Sequence, residues 1–147
     1  MDLERIRAFR TILRRLERDV AVRQKRDDRT GGLSVVQCHT VISIGELGST
    51  TVSQMAERMG VDKSTLSRTL DGLVDKNLVQ RLPDPRDRRF SVIRLTPPGQ
   101  SVCEALNRVN DAFIKRVFER IPGQEHQSIM TALKRFVEAM EKENGER

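Results

Sequence analysis

From Ser53 to Leu78 the chain reads SQMAERMGVDKSTLSRTLDGLVDKNL, two short helical patterns parted only by Gly60-Val61-Asp62. So tight a turn forces the two helices to pack across a corner, the helix-turn-helix arrangement. The residues suit that corner. Ala56 is small where the helices cross, Gly60 sits in the turn, and Val61, Leu66 and Leu70 face inward. On a helical wheel Leu66, Leu70, Leu73 and Asn77 share one side of the second helix. Ser64, Arg68, Asp71 and Asp75 lie opposite, with Thr65 and Ser67 on the flanks.

Directly afterwards come two strand-like runs, VQRL and FSVIRL, although their alternation is imperfect. The loop that joins them, PDPRDRRF, is charged at five of its eight positions. A helix-turn-helix followed at once by a hairpin with a basic loop is a winged helix. Such a unit suits duplex DNA, because the major groove admits one helix and the N-terminal part of that helix reaches base edges. Lys63, Ser64, Thr65, Ser67 and Arg68 supply the short hydroxyls and cations for that face. Hydroxyls and amides at a helix start also hold phosphate. Arg68 is the foremost candidate for a base contact, since arginine pairs bidentately with guanine. Arginines of the loop, Arg86, Arg88 and Arg89, are placed to enter an adjacent minor groove. The plainer alternatives are a solvated surface helix and a charged turn that blocks edge-to-edge aggregation.

The flanking segments read as helices. Leu3, Ile6, Phe9, Leu13, Leu16 and Val20 make one stripe over residues 3–26, which DDRTGG then breaks. This helix cannot bury its stripe alone and needs the rest of the domain or a second copy. Ser34 with Gln37 is a capping-box signature that opens VVQCHTVISIGEL, whose apolar residues point in nearly all directions and predict a helix covered on most sides. Gly45 in that helix permits a close contact. STTV at 49–52 suits a brief strand. Thr96 is the predicted N-cap of a helix opening on TPPGQ. That helix carries a stripe from Val102 to Phe118 or Ile121 and stops at Pro122-Gly123. A last helix precedes a tail, EKENGER, expected to fray. The fold class is therefore mainly α with a small β-hairpin. The chain divides into an N-terminal helix and linker at 1–32, a winged helix-turn-helix at 33–98 and C-terminal helices at 99–147.

Composition narrows the function. With no Trp, no Tyr and five Phe, the core must be aliphatic. A net charge of +6 and a pI near 10.0 attract polyanions. Cys38 and Cys103 have no CxxC spacing, and Cys38 beside His39 finds only one other histidine, His126, for a metal site. Neither a metal nor a cofactor is expected. No nucleophile–base pair or phosphate loop marks an enzyme. The charged start MDLERIRAFR is no signal peptide, and no apolar run reaches the ~20 residues of a membrane span, so the expected setting is cytoplasmic.

The runs LSVVQCHTVISIGEL, TVSQMAERMGVDKSTLSRTLDGLVDKNLV and DPRDRRFSVIRLTPPG together resemble the MarR family of bacterial winged-helix regulators. D-x-R-D-R-R followed by a strand and L-T-x-x-G is the most specific part. The resemblance implies a homodimer with interlocked N- and C-terminal helices, binding a pseudo-palindromic operator, usually as a repressor released by a small-molecule effector. It implies that Arg88 enters the minor groove, that Arg89 pairs with Asp87, and that Asp62 through Arg68 face the major groove. Asp84 either braces Arg86 in the same way or caps the turn. A ligand pocket is implied between the second helix, the fifth helix and the DNA-binding lobe. The competing readings are an activator, a cysteine-based redox-sensing regulator, and a helical adaptor whose basic surface binds a protein or anionic lipid.

Overall fold

The computed structural model describes residues 2–26, 32–85, 87 and 91–145. Its elements run α1 (Leu3–Arg26), α2 (Val35–Leu47), α3 (Val52–Met59), α4 (Lys63–Asp75), β1 (Val79–Pro83), β2 (Ser91–Leu95), α5 (Pro97–Phe118) and α6 (Gly123–Gly145). They fall into two compact units, Met1–Leu106 and Asn107–Arg147. Among the described residues no helix is long and apolar enough to cross a membrane.

The core of the first unit is aliphatic, as the scarcity of aromatics requires. Val41 and Ile44 of α2, Met55 of α3, Leu70 and Leu73 of α4 and Ile93 of β2 are fully buried. Burial of each leucine contributes about 2 kcal/mol. The capping box at Ser34 is present with both of its hydrogen bonds, and Thr51 with Gln54 makes a second at the start of α3. Thr50 and Thr51 therefore do not extend a strand. Thr50 makes a single antiparallel bridge to Ile93, exchanging both backbone hydrogen bonds at 3.2 and 2.7 Å, and the chain turns at once into α3. Ile93 is paired on both edges, and Val92 and Ile93 are both buried, so the hairpin lacks clean alternation.

Two expectations need correction. The second helix is not covered on most sides within one chain: Cys38, Thr40, Val41 and Ile44 are buried, while Val35, Val36 and Leu47 remain exposed. Nor does the pattern ending at Asn77 stay helical. The helix α4 stops at Asp75 because Asn77 adopts the left-handed region at φ 55°, a conformation asparagine tolerates.

Gly45 does permit a close contact. A Cβ placed there would lie 2.5 Å from the Cys103 sulfur on α5. Gly45→Ala gains about 1 kcal/mol of helix propensity but overpacks a buried site, which costs about 1–3 kcal/mol. The substitution should lower the urea midpoint in the native background and raise it when Cys103→Ala has removed the sulfur. The same sign in both backgrounds would contradict the contact.

In the second unit, α5 ends three residues short of Ile121. The His126 Nε2 lies 3.0 Å from the Phe118 carbonyl oxygen and 2.9 Å from that of Ile121. Both partners accept, so Nε2 carries the hydrogen and caps the end of α5. The His126 ring also meets Phe118 edge-on at 4.9 Å. The last helix reaches into the EKENGER tail: α6 continues to Gly145, through Glu and Lys residues that favour helix.

Candidate nucleic-acid interface

The sequence fixes where α4 begins. Asp62 is its N-cap, accepting from the Thr65 N–H at 2.8 Å and the Thr65 hydroxyl at 2.6 Å, and from the Ser64 hydroxyl. The bond from the Ser64 hydroxyl, then those from the Thr65 hydroxyl and N–H, hold the Asp62 carboxyl well below the usual carboxylate range. Gly60, left-handed at φ 63°, ends α3 and sets the corner. Leu66, Leu70 and Leu73 anchor the inner face of α4.

The opposite face is exposed at Lys63, Ser64, Thr65 and Arg68, and half-buried at Ser67. Two of these predicted contacts have their donors engaged within the protein: the Ser64 and Thr65 hydroxyls both point at Asp62. They present acceptor lone pairs outward, not hydrogens. Arg68 stays close to its own helix, its Nε 3.4 Å from the Ser64 carbonyl oxygen. Lys63 and Arg68 are thus the exposed cations at the start of the helix.

The wing begins from an ordered base, with Pro83 paired to Ser91 and Val79 to Leu95. Asp87 is half-buried. Arg86, Arg88 and Arg89 lie outside the described residues, and with them the expected pairing of Asp87 to Arg89. One residue that sequence reasoning missed stands at this base. From β1, the Arg81 Nη2 donates to Asp71 Oδ1 at 2.7 Å and lies 3.4 Å from both oxygens of Ser67. Its only sequence signal was an arginine on a strand opposite an acid-bearing helix face.

The sequence matches fit this geometry. Residues 33–90 match the profile of the MarR family. The multiple antibiotic resistance protein MarR of Salmonella typhimurium is 35% identical over 72 residues, 49% of this chain and 50% of that protein, so the chain spans about half the length of the first relatives it matches. A longer match, 30% identical over 119 residues, covers 79% of this chain and 77% of the transcriptional repressor MdtR of Bacillus subtilis. The chain belongs to the MarR family. The structure of a mutant MarR from Escherichia coli complexed with operator DNA shares its fold, with a TM-score of 0.63 at 26% identity over 92% of this chain and 99% of that one. The helix-turn-helix and two-stranded hairpin of this MarR-family chain are accordingly a winged helix.

Within that MarR frame the net positive charge sits on the first helix. Residues 3–26 hold nine of the 27 Lys and Arg against three acids, so α1 alone accounts for a net +6. The winged-helix segment 33–98 has nine basic and seven acidic residues. Total charge therefore does not single out the winged helix.

Proposed function

We propose that this protein is a transcription regulator that binds duplex DNA as a homodimer, with α4 as recognition helix and the 84–90 loop as a wing in the minor groove. The carrying observation is the two-sidedness of α4: three buried leucines fix one face, while Lys63 and Arg68 are exposed beside the capped helix start. In this reading Lys63, Ser64, Thr65, Ser67 and Arg68 address the major groove, with Arg68 on a base. Arg88 enters the minor groove, Arg86 is a further contact of the wing, and Arg89 is tied to Asp87. The repressor role of MdtR and the operator complex of the Escherichia coli protein support a repressor acting on an operator, and a two-fold dimer would read a pseudo-palindromic one. A small-molecule effector releases it.

Unpartnered apolar surface supports the dimer. Leu3, Ile12 and Leu16 of α1 are more than half exposed, and Leu133, Val137 and Met140 of α6 line up on a second stripe. A homodimer that reads two half-sites holds its recognition helices about 34–36 Å apart, one turn of DNA. Redox sensing through Cys103 is disfavoured by its surroundings. Burial, and then the nearby Glu104 and Glu46, push its thiol pKa up and keep it protonated, away from the reactive thiolate.

Selection of bound sites from random duplex DNA tests the proposal. An inverted repeat with half-sites about 10 base pairs apart is the expected product. No enrichment over the starting pool would contradict it.

A further inference from the structure

We propose that Arg81 is a positioning residue for DNA recognition: by gripping Asp71 and Ser67 it locks the recognition helix to the base of the wing. The inference rests on the DNA-binding reading and adds to it a residue that does not itself touch DNA.

Arg81 stands on the best-anchored part of the hairpin. It is the cross-strand partner of Ile93, which is fully buried and is bridged on its other edge by Thr50. Its guanidinium leaves this strand for α4 and meets Asp71 at 2.7 Å and the Ser67 carbonyl and hydroxyl oxygens at 3.4 Å. Asp71 and Ser67 are one helical turn apart, and Asp71 follows Arg68 at i+3, so the grip falls on the face that presents Arg68. One side chain therefore sets both the rotation of α4 and its distance from the hairpin.

Electrostatics gives a second reason for the contact. An aspartate on a face turned toward phosphates is repulsive unless its charge is matched. The 2.7 Å ion pair supplies the match and keeps the carboxylate turned toward β1. Stability does not account for the pair. The Arg81 and Asp71 side chains are 36% and 59% exposed, and exposed ion pairs contribute little to folding.

The pairing can be tested by charge exchange, using the duplex recovered by selection and the full-length chain. Arg81→Ala and Asp71→Ala should each weaken binding about tenfold, as expected for coupled neighbours. Their urea midpoints and the slope of log affinity against log salt should stay near native. Arg81→Asp combined with Asp71→Arg should restore most of the affinity that either reversal alone removes. Three results would overturn the assignment. Asp71→Ala binding as tightly as wild type would make Arg81 a mere shield for a repulsive charge. A salt slope reduced by about 0.9 in Arg81→Ala would make it a phosphate contact. Asp71→Arg alone binding as well as the exchanged pair would trace the rescue to added positive charge. If wild type binds no duplex at all, the DNA reading falls first and the positioning role with it.

Discussion

Gly99→Ala should destabilise the first unit by about 3 kcal/mol, the upper end of the range for overpacking a well-filled site. A Cβ at position 99 would stand 1.9 Å from the Leu78 carbonyl oxygen and 2.8 Å from its carbon. These are backbone atoms that no rotamer change can move aside. The Leu78 carbonyl is also committed, accepting the Thr96 N–H at 3.1 Å. Thr96 closes the knot: its hydroxyl donates to the Asn77 carbonyl at 2.6 Å and accepts the Gly99 N–H at 3.1 Å. Displacing Leu78 therefore strains the left-handed Asn77 and the entry to β1 together. Urea unfolding should show a lower midpoint at unchanged slope, and a native midpoint would contradict the contact.

Arg88→Ala should weaken operator binding strongly while leaving the protein folded and its oligomeric state unchanged. Loss of an arginine from a narrow minor groove is expected to cost about 1–3 kcal/mol, or roughly five- to 150-fold in affinity. Arg68→Ala should lose a similar amount for a different reason. If Arg68 reads a base, its loss appears on the selected sequence and not on random duplex. An equal loss on both would reduce it to a phosphate contact. Unchanged affinity of Arg88→Ala in a fluorescence titration would remove the wing from the interface.

The two glycine contacts explain which parts of the sequence were legible. L-T-x-x-G, part of the most specific stretch of the family resemblance, is a folding knot around Thr96 and Gly99 and makes no direct statement about DNA. Helix limits were readable because local chemistry sets them: the Ser34–Gln37 box and Gly60 act within a few residues of themselves. The end of α4 was misjudged because Leu66, Leu70, Leu73 and Asn77 keep a helical spacing, and periodicity alone does not reveal that Asn77 turns left-handed. Arg81 was missed because its partners lie 10 and 14 residues away across a turn, and no short-range pattern encodes such a pair. His126 escaped notice similarly, since its ligands are backbone carbonyls, which every residue possesses. The Ser64 and Thr65 hydroxyls were correctly placed at the helix start, but capping claims their hydrogens before DNA can.

The central claim is that the α4 face and the wing grip the phosphate backbone of a duplex while reading its bases. The direct measurement is affinity for the selected duplex as a function of salt. Log affinity should fall linearly with log salt, losing about 10³–10⁵ in affinity between 50 and 200 mM if some six to ten phosphates are contacted. A random duplex should show a comparable slope at far weaker binding. Affinity that is indifferent to salt, or equal on the two duplexes, would contradict a sequence-reading DNA interface.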